Sequence, residues 1–297
     1  MTVARVRHTG KMAEAPGITQ VSESVRAVPA APLRGLLSWY SGYRQEGLPP
    51  ARHRGLPSPY LTVIITLDEP LAIVTHPDPR QPASRHDVLV GGLHTAPALI
   101  THDGHQSGIQ LSVTPLGARA LLGRPAGELA GIDVDGSEVL GAVARELHER
   151  LREADSWPAR FALLDEILLA HADLDQQVAP DIAEAWRLLT RSGGMVRAGE
   201  LARRVGWSPR YLQRRLLTET GLAPKAAARV TRFDRARRAL QDQPGLPLAG
   251  LAADCGYYDQ AHLAREFREL AGCPPSAWLA EEFRNVQSSP ASQDGEW

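Results

Sequence analysis

The chain has 297 residues, 43% hydrophobic and 23% charged, with a formal net charge of −1; this is the profile of a soluble globular protein with room for two domains, not of a disordered one. No apolar run reaches the roughly 20 residues that cross a bilayer, and the N-terminus MTVARVRHTGKMAEAPG lacks the apolar core of a secretory signal. Two cysteines, Cys255 and Cys273, build neither a disulfide framework nor a metal knuckle, so the composition points to the cytoplasm and away from any membrane.

The total charge hides an asymmetry. Residues 1–180 hold 16 basic and 20 acidic side chains, whereas residues 181–285 hold 17 and 12. A basic module joined to an acidic one is the pattern expected when one part meets a polyanion.

In chain order, residues 1–30 are polar, rich in Ala and Pro and without periodicity, and read as a flexible segment. From Tyr60 short apolar runs follow at close spacing: YLTVIITL (60–67), LAIV (71–74), DVLVGG (87–92), PALIT (97–101) and GIQLSVTP (108–115). Bounded by Asp, Pro, Gly and His turns, they read as strands of a small β-sandwich or barrel. EVLGAVARELHERLREA (138–154) and PARFALLDEILLAHA (158–172) switch to helical periodicity, with Trp157-Pro158 breaking them into a hairpin. Their apolar stripes (Val139, Val143, Leu147, Leu151; Phe161, Leu164, Leu168) suit packing on the barrel and a dimer seam alike. DLDQQVAPD (173–181) is a polar connection, and everything beyond it reads helical.

The fold class is therefore α+β, a small β-barrel or sandwich with a helical hairpin followed by an all-α domain. The expected division is a flexible 1–30, a domain over 31–178, a helical domain over 179–285 and a flexible tail over 286–297.

The helical part contains a repeat. LARRVGWSPRYLQRRL (201–216) aligns with LAADCGYYDQAHLAREF (251–267) once one extra residue is allowed after the glycine of the second copy. Ala202 and Ala252 fall where two helices cross closely. Gly206 and Gly256 fall in the turn, where positive φ is cheap only for glycine. Ser208, followed by Pro209, and Asp259 are N-caps. Leu212 and Leu216 in the first copy, and Leu263 and Phe267 in the second, anchor the last helix to the core. Each copy thus reads as a helix-turn-helix, the first over about 198–220 and the second over about 247–271. The segment KAAARVTRFDRARRALQD (225–242) between them reads as a linking helix about 27 Å long.

With ELARRVGWSPRYLQRRLLTETGLAP (200–224), RFDRARRAL (232–240) and LAGLAADCGYYDQAHLAREFRELAGCPPSAW (248–278), residues 182–280 resemble the DNA-binding domain of the AraC/XylS family of transcription regulators. The resemblance implies sequence-specific binding to double-stranded DNA, with two recognition helices meeting adjacent major grooves about 34 Å apart. For an activator it implies RNA polymerase as a further partner.

Arg210, Gln213 and Arg214 project from the outward turns of the first recognition helix, and Gln260, Ala261, His262 and Arg265 from the second. Arginine can pair bidentately with guanine and glutamine with adenine. Arg215, on the flank, suits a phosphate contact or a salt bridge to Glu219 at i+4. Arg214 and Arg265 occupy equivalent places in the two copies.

HRGLPSPYLTVIITLDEPL (53–71), VGGLHTAPALITHDGHQSGIQLSVTPLGARALLG (90–123) and ARFALLDEIL (159–168) resemble, less specifically, the sensor domain that precedes this DNA-binding unit in one subgroup of the family. That likeness implies a regulatory role and no particular ligand; membership of the broader family would imply a small β-barrel that holds an unknown small-molecule effector and adjoining helices that make a homodimer. His53, His94 and His102 are the candidate effector-binding residues. HDGHQSG (102–108) lacks the His-x-His spacing of a barrel metal site, so neither a metal nor a cofactor is expected. The rival reading is a metal-dependent or hydrolytic enzyme tethered to a DNA anchor. It finds no G-x-S-x-G, H-E-x-x-H or phosphate-cradling glycine loop, and the chain is not expected to be an enzyme.

Overall fold

The structure, a computed structural model, describes residues 20–286. The expected flexible segment falls outside those residues up to position 19, and the expected tail does so from position 287. Within 1–30 the expectation needs correcting: Val21–Ala27 is a strand, β1, paired along its length with β2 (Leu37–Glu46). Its inward residues are only Val25 and Ala27, against outward Ser24 and Arg26, an alternation too short and too polar to stand out in the sequence.

Eight further strands follow: β3 (Ala51–Gly55), β4 (Leu61–Thr66), β5 (Leu71–Thr75), β6 (Ser84–His86), β7 (Val88–Gly91), β8 (Ala98–His102), β9 (Gln106–Val113) and β10 (Asp133–Asp135). The five apolar runs correspond to β4, β5, β7, β8 and β9. The strands form two antiparallel sheets, one of six in the order β1-β2-β9-β4-β7-β10 and one of four in the order β3-β8-β5-β6.

The two faces of the larger sheet differ in chemistry. One face carries Leu61, Val63 and Ile65 of β4 with Ile109, Leu111 and Val113 of β9, all nearly inaccessible. It is covered by α3 (Ala142–Glu153) and α4 (Trp157–His171), whose Leu147, Leu151, Phe161, Leu164 and Leu168 are buried in the same core. The apolar stripes of the hairpin are therefore used on the sheet, not held out for a dimer seam. Tyr40 stacks on Phe161 in this layer, and its hydroxyl donates to Asp165 Oδ1 at 2.9 Å. The same carboxylate oxygen accepts from the Ala30 N–H at 3.0 Å. Burial, with Asp165 beside it, holds the Tyr40 phenol above its usual range. The first helix of the hairpin is not continuous: Gly141, at φ +58°, separates α2 (Gly136–Leu140) from α3.

The opposite face turns toward the smaller sheet. Cross-strand partners share a face, and here the pairs are Thr62 with Ser112 and Ile64 with Gln110. Only a small apolar cluster (Ile64, Leu71, Ile73, Leu89 and Ile100) fills the space between the sheets. The principal core lies outside the sandwich, and its interior is part polar.

A short helix, α1 (Ala118–Leu122), leads from β9 toward β10, and beyond α4 the chain is helical: α5 (Pro180–Arg191), α6 (Ala198–Arg204), α7 (Pro209–Thr220), α8 (Pro224–Asp242), α9 (Leu248–Asp254), α10 (Gln260–Ala271) and α11 (Pro275–Val286). No helix among the described residues is long and apolar enough to cross a membrane.

The repeat is reproduced down to backbone angles. Gly206 and Gly256 follow α6 and α9 at φ +71° and +74°. The next N–H returns to the first helix in both copies, Trp207 to Ala202 O at 2.9 Å and Tyr257 to Ala252 O at 2.8 Å. Ser208 caps α7 by accepting from the Tyr211 N–H, and Asp259 caps α10 by accepting from the His262 N–H. Ala202, Leu212, Ala252, Leu263 and Phe267 are all buried. The 19-residue α8 spans about 28 Å between the two units.

Candidate nucleic-acid interface and interior cavity

The capped N-terminal turns of α7 and α10 leave one stripe of each helix outside the core. Arg210, Gln213 and Arg214 are exposed on α7, and Gln260, Ala261 and Arg265 on α10. The Arg214 guanidinium lies 5.2 Å over the Tyr211 ring, which meets Trp207 edge-on at 4.8 Å. Arg215 is half-buried.

Glu219 does not pair with Arg215. It receives a two-pronged hydrogen bond from Arg119 of α1, Nε at 3.0 Å and Nη2 at 3.1 Å. The i+4 partner loses because Glu219 faces the β-domain rather than solvent. His262 is half-buried and engaged within its own unit: its Nδ1 accepts the Tyr258 N–H at 3.2 Å, and Nε2 lies 3.7 Å from Glu266 Oε1.

The linking helix fixes the second unit. Arg229 donates to Glu266 at 2.8 Å and to Glu269, joining α8 to α10. Asp234 is shared by Arg237 at 2.6 Å and Arg238 at 2.8 Å. Most linker arginines are therefore occupied within the fold, whereas Arg235 is exposed.

Among the described residues the two parts of the chain meet through several contacts. Arg119 grips α7 as described, and an added Cβ at Gly127 would meet Thr218 O of α7 at 2.2 Å. Arg238 of α8 lies 4.6 Å over Trp39. Arg54 of β3 makes a two-pronged bond to Glu281 of α11 at 3.0 and 3.1 Å.

A cavity of about 210 Å³ opens between the sheets and the helical part. On the β side its polar wall is His53, Thr62, His94, Gln110, Ser112 and Asp133; on the helical side it is closed by Arg237, Arg238, Trp278 and Glu282. His102 lies off it, on an adjoining space of about 220 Å³ that shares His53 and Gln110. No group among the described residues hydrogen-bonds the side chains of His53, Thr62, Gln110 or Ser112, so polar atoms face this interior unpaired. Such groups cost free energy unless an occupant or solvent satisfies them. The spacing of these residues was visible in LTVIIT and GIQLSV, but alternation alone does not tell a solvent face from an interior one.

Burial, and then the neighbouring His102, push the His53 imidazole down to about 4. Burial also lowers His94, against a hydrogen bond to the Ala96 carbonyl that raises it. His53 is thus a neutral donor–acceptor through the physiological range. The folded state binds this proton more weakly than the unfolded chain, so His53 favours folding fully above about pH 6.5. That contribution is lost as pH falls from there toward 4. Titration of the His53 ring by NMR is expected to show a midpoint near 4; a midpoint near 6.5 would place the ring in open solvent.

A relay that no local motif announced sits behind the cavity wall. His76 Nδ1 lies 2.8 Å from Asp133 Oδ2, and Ser84 Oγ lies 3.0 Å from His76 Nε2. The same Ser84 oxygen is 2.7 Å from His86 Nε2, whose Nδ1 is 3.1 Å from Asp135 Oδ2. The chain of five side chains ties β5 and β6 to β10. Among the described residues no three His, Cys, Asp or Glu side chains are grouped to hold a metal ion.

Comparison with known proteins bears mainly on the C-terminal part. Residues 201–281 match a family model described as a helix-turn-helix domain. Over 123 residues the chain is 32% identical to an HTH-type transcriptional regulator of Mycobacterium tuberculosis, a match that covers 41% of this chain and 46% of that protein. The chain thus spans about half the length of the curated relative it matches. Among solved structures, an apo variant of ToxT from Vibrio cholerae is 10% identical over 83% of this chain and 97% of its own, with a TM-score of 0.50. That likeness is one of fold, a β-domain followed by helices. A transcriptional regulator from Chromobacterium violaceum with an AraC-type DNA-binding domain is 24% identical, covering 35% of this chain and 92% of its own, with a TM-score of 0.32.

Proposed function

We propose that this chain, whose residues 201–281 are an AraC-type helix-turn-helix domain, is a sequence-specific DNA-binding transcription regulator controlled by a small molecule held in the interior cavity. The observation that carries the reading is the duplicated, identically capped unit. It sets Arg214 and Arg265 at equivalent exposed positions on helices joined by one rigid rod. In this reading α7 and α10 enter adjacent major grooves, with Arg210, Gln213, Gln260 and Ala261 beside them, while Arg215 and His262 support the interface. Residues 179–285 form the DNA-binding domain, and the sensor part extends from β1 to residue 178. RNA polymerase is a partner if the protein activates. A homodimer, where it forms, uses a surface other than the buried stripes of α3 and α4. The protein works in the cytoplasm, away from the membrane.

The cavity supports effector control because residues of both parts wall it: an occupant bonded to His53, Gln110 or Ser112 also bears on Arg237, Arg238 and Trp278. His94 belongs to the same wall, and His102 serves the adjoining space. The chain is not an enzyme in this reading. Ser84, His76 and Asp133 stand in the order of a nucleophilic triad, yet the Ser84 hydroxyl is shared with His86, and the relay serves to fasten β10.

The reading is tested by selecting duplexes from a random pool with the full chain, then footprinting wild type, Arg214→Ala and Arg265→Ala at physiological salt. Each substitution is expected to cost roughly 1–3 kcal/mol, confined to one half of the site. Two variants that footprint like wild type would remove the assignment. A thermal-shift screen of small molecules, repeated with Gln110→Leu, tests the effector site.

A further inference from the structure

We propose that Tyr258 is a DNA-contacting residue that sets base preference in the second half of the site; this rests on the DNA-binding reading above. The alignment of the two units requires one extra residue in the second copy, and the structure identifies it. Trp207 and Tyr257 follow the two turn glycines in equivalent places, and Ser208 and Asp259 are the equivalent caps, so Tyr258 is the insertion between them. The first unit has no counterpart.

This inserted side chain is 92% exposed, whereas its neighbour Tyr257 is buried at 5%. It is exposed without being loose. Its own N–H is held by His262 Nδ1, the His262 ring packs edge-on against Tyr257 at 5.3 Å, and the next residue, Asp259, is fixed as the helix cap. Because Nδ1 accepts this bond, the proton of the neutral ring sits on Nε2, which faces Glu266. The histidine is consequently turned inward, and the tyrosine takes the outer position.

The placement suits a reader. The N-terminal turn of a recognition helix is the part that approaches base edges, and Tyr258 directly precedes that turn. The outward residues of α10 are poorer in polar reach than those of α7. Ala261 offers only a methyl group, where α7 presents Arg210, Tyr211, Gln213 and Arg214. An aromatic ring at this point can pack on deoxyribose and on a thymine methyl, an apolar contact that distinguishes thymine from cytosine. The phenol adds a donor for a backbone phosphate, which positions without reading sequence. The ring, not the hydroxyl, therefore carries the discrimination.

The test uses the full chain and the duplex that wild type selects from a random pool. Tyr258→Ala is expected to weaken binding to that duplex about tenfold and to relax base preference at one or two positions in the half contacted by α10. Tyr258→Phe is expected to stay within about threefold of wild type with the preference intact. Melting temperatures of both variants are expected to match wild type, since the side chain packs against nothing. Tyr258→Ala binding within twofold of wild type with the same selected sequence would overturn the proposal, as would a Phe variant as weak as the Ala variant. A wild-type protein that selects no sequence at all would instead sink the DNA-binding reading, and this inference with it.

Discussion

Gly92→Ala is expected to destabilise the protein by about 3 kcal/mol or more, read as a drop in the urea midpoint with little change in slope. An added Cβ at this position would lie 1.6 Å from Leu129 O and 2.4 Å from Leu129 C. Both are backbone atoms, so no side-chain rotation relieves the clash. The strap they belong to is stitched in place on both sides: the Gly92 N–H donates to Ile132 O at 3.0 Å, and the Gly131 N–H donates to Leu93 O at 2.8 Å. Making room for a methyl group means lifting residues 129–133 off β7. That would also move Asp133, which closes the cavity and anchors the relay, and the 126–129 turn that rests on α7. Gly123→Ala is the matched control. Gly92 is not among the glycines at positive φ, whereas Gly123 lies at φ +68° with nothing within 4 Å of its added Cβ, so Gly123 carries only the backbone cost of about 1 kcal/mol. A loss at Gly92 no larger than that at Gly123 would show that the strap gives way and that the contact with Leu129 does not set the cost.

What the sequence disclosed and what it hid divides along local and distant signals. The helix-turn-helix units were legible because each rule they obey acts within a few residues. Gly206 needs positive φ, Ser208 caps the helix that Pro209 opens, and Leu212 and Leu216 are one turn apart. The repeat then confirmed each signal by a second copy. Among the strands, the five apolar ones were legible, while β3 (ARHRG), β6 (SRH) and β10 (DVD) are polar or too short to show a period. They exist because neighbours in the sheet pair with them. The relay was out of reach for the same reason: His76 and Asp133 are 57 positions apart, and His86 and Asp135 are 49 apart. One extra residue was counted after the second glycine, but only the fold identifies it as Tyr258 and shows that it stands in solvent while its neighbour is buried. His53 and His94 were singled out from the sequence, and the polar residues that line the same cavity were not. Thr62, Gln110 and Ser112 look like the solvent side of ordinary amphipathic strands until a second sheet is placed over them.

The ion pair between Arg119 and Glu219 supplies the other large effect. Glu219 is 7% exposed and Arg119 30%, and the described residues offer the carboxylate no other hydrogen bond. Arg119→Ala is therefore expected to leave a buried charge unpaired, at a cost of about 3 kcal/mol. Removing both charges together, with Arg119→Met and Glu219→Leu, should cost less than about 1 kcal/mol, because apolar partners of similar volume need no desolvation to be offset. A double-mutant cycle closed with Arg119→Met and Glu219→Leu as its single variants, measured by chemical denaturation, gives the coupling energy. The single variant should also raise amide exchange at 217–221, where α7 ends against the 126–130 turn, while α10 keeps its protection through Arg229, Glu266 and Glu269. This separation gives the pair its interest: α1 and the strap belong to the β-domain whose cavity is the effector candidate, and α7 is the helix proposed to read the first half of the site. If the single and double variants lose stability equally, Glu219 is solvated well enough to stand alone and the contact is packing only. If instead the cycle shows strong coupling and exchange rises in α7 alone, the β-domain holds α7 directly by its C-terminal end and leaves Arg210, Gln213 and Arg214 exposed for the proposed DNA contact.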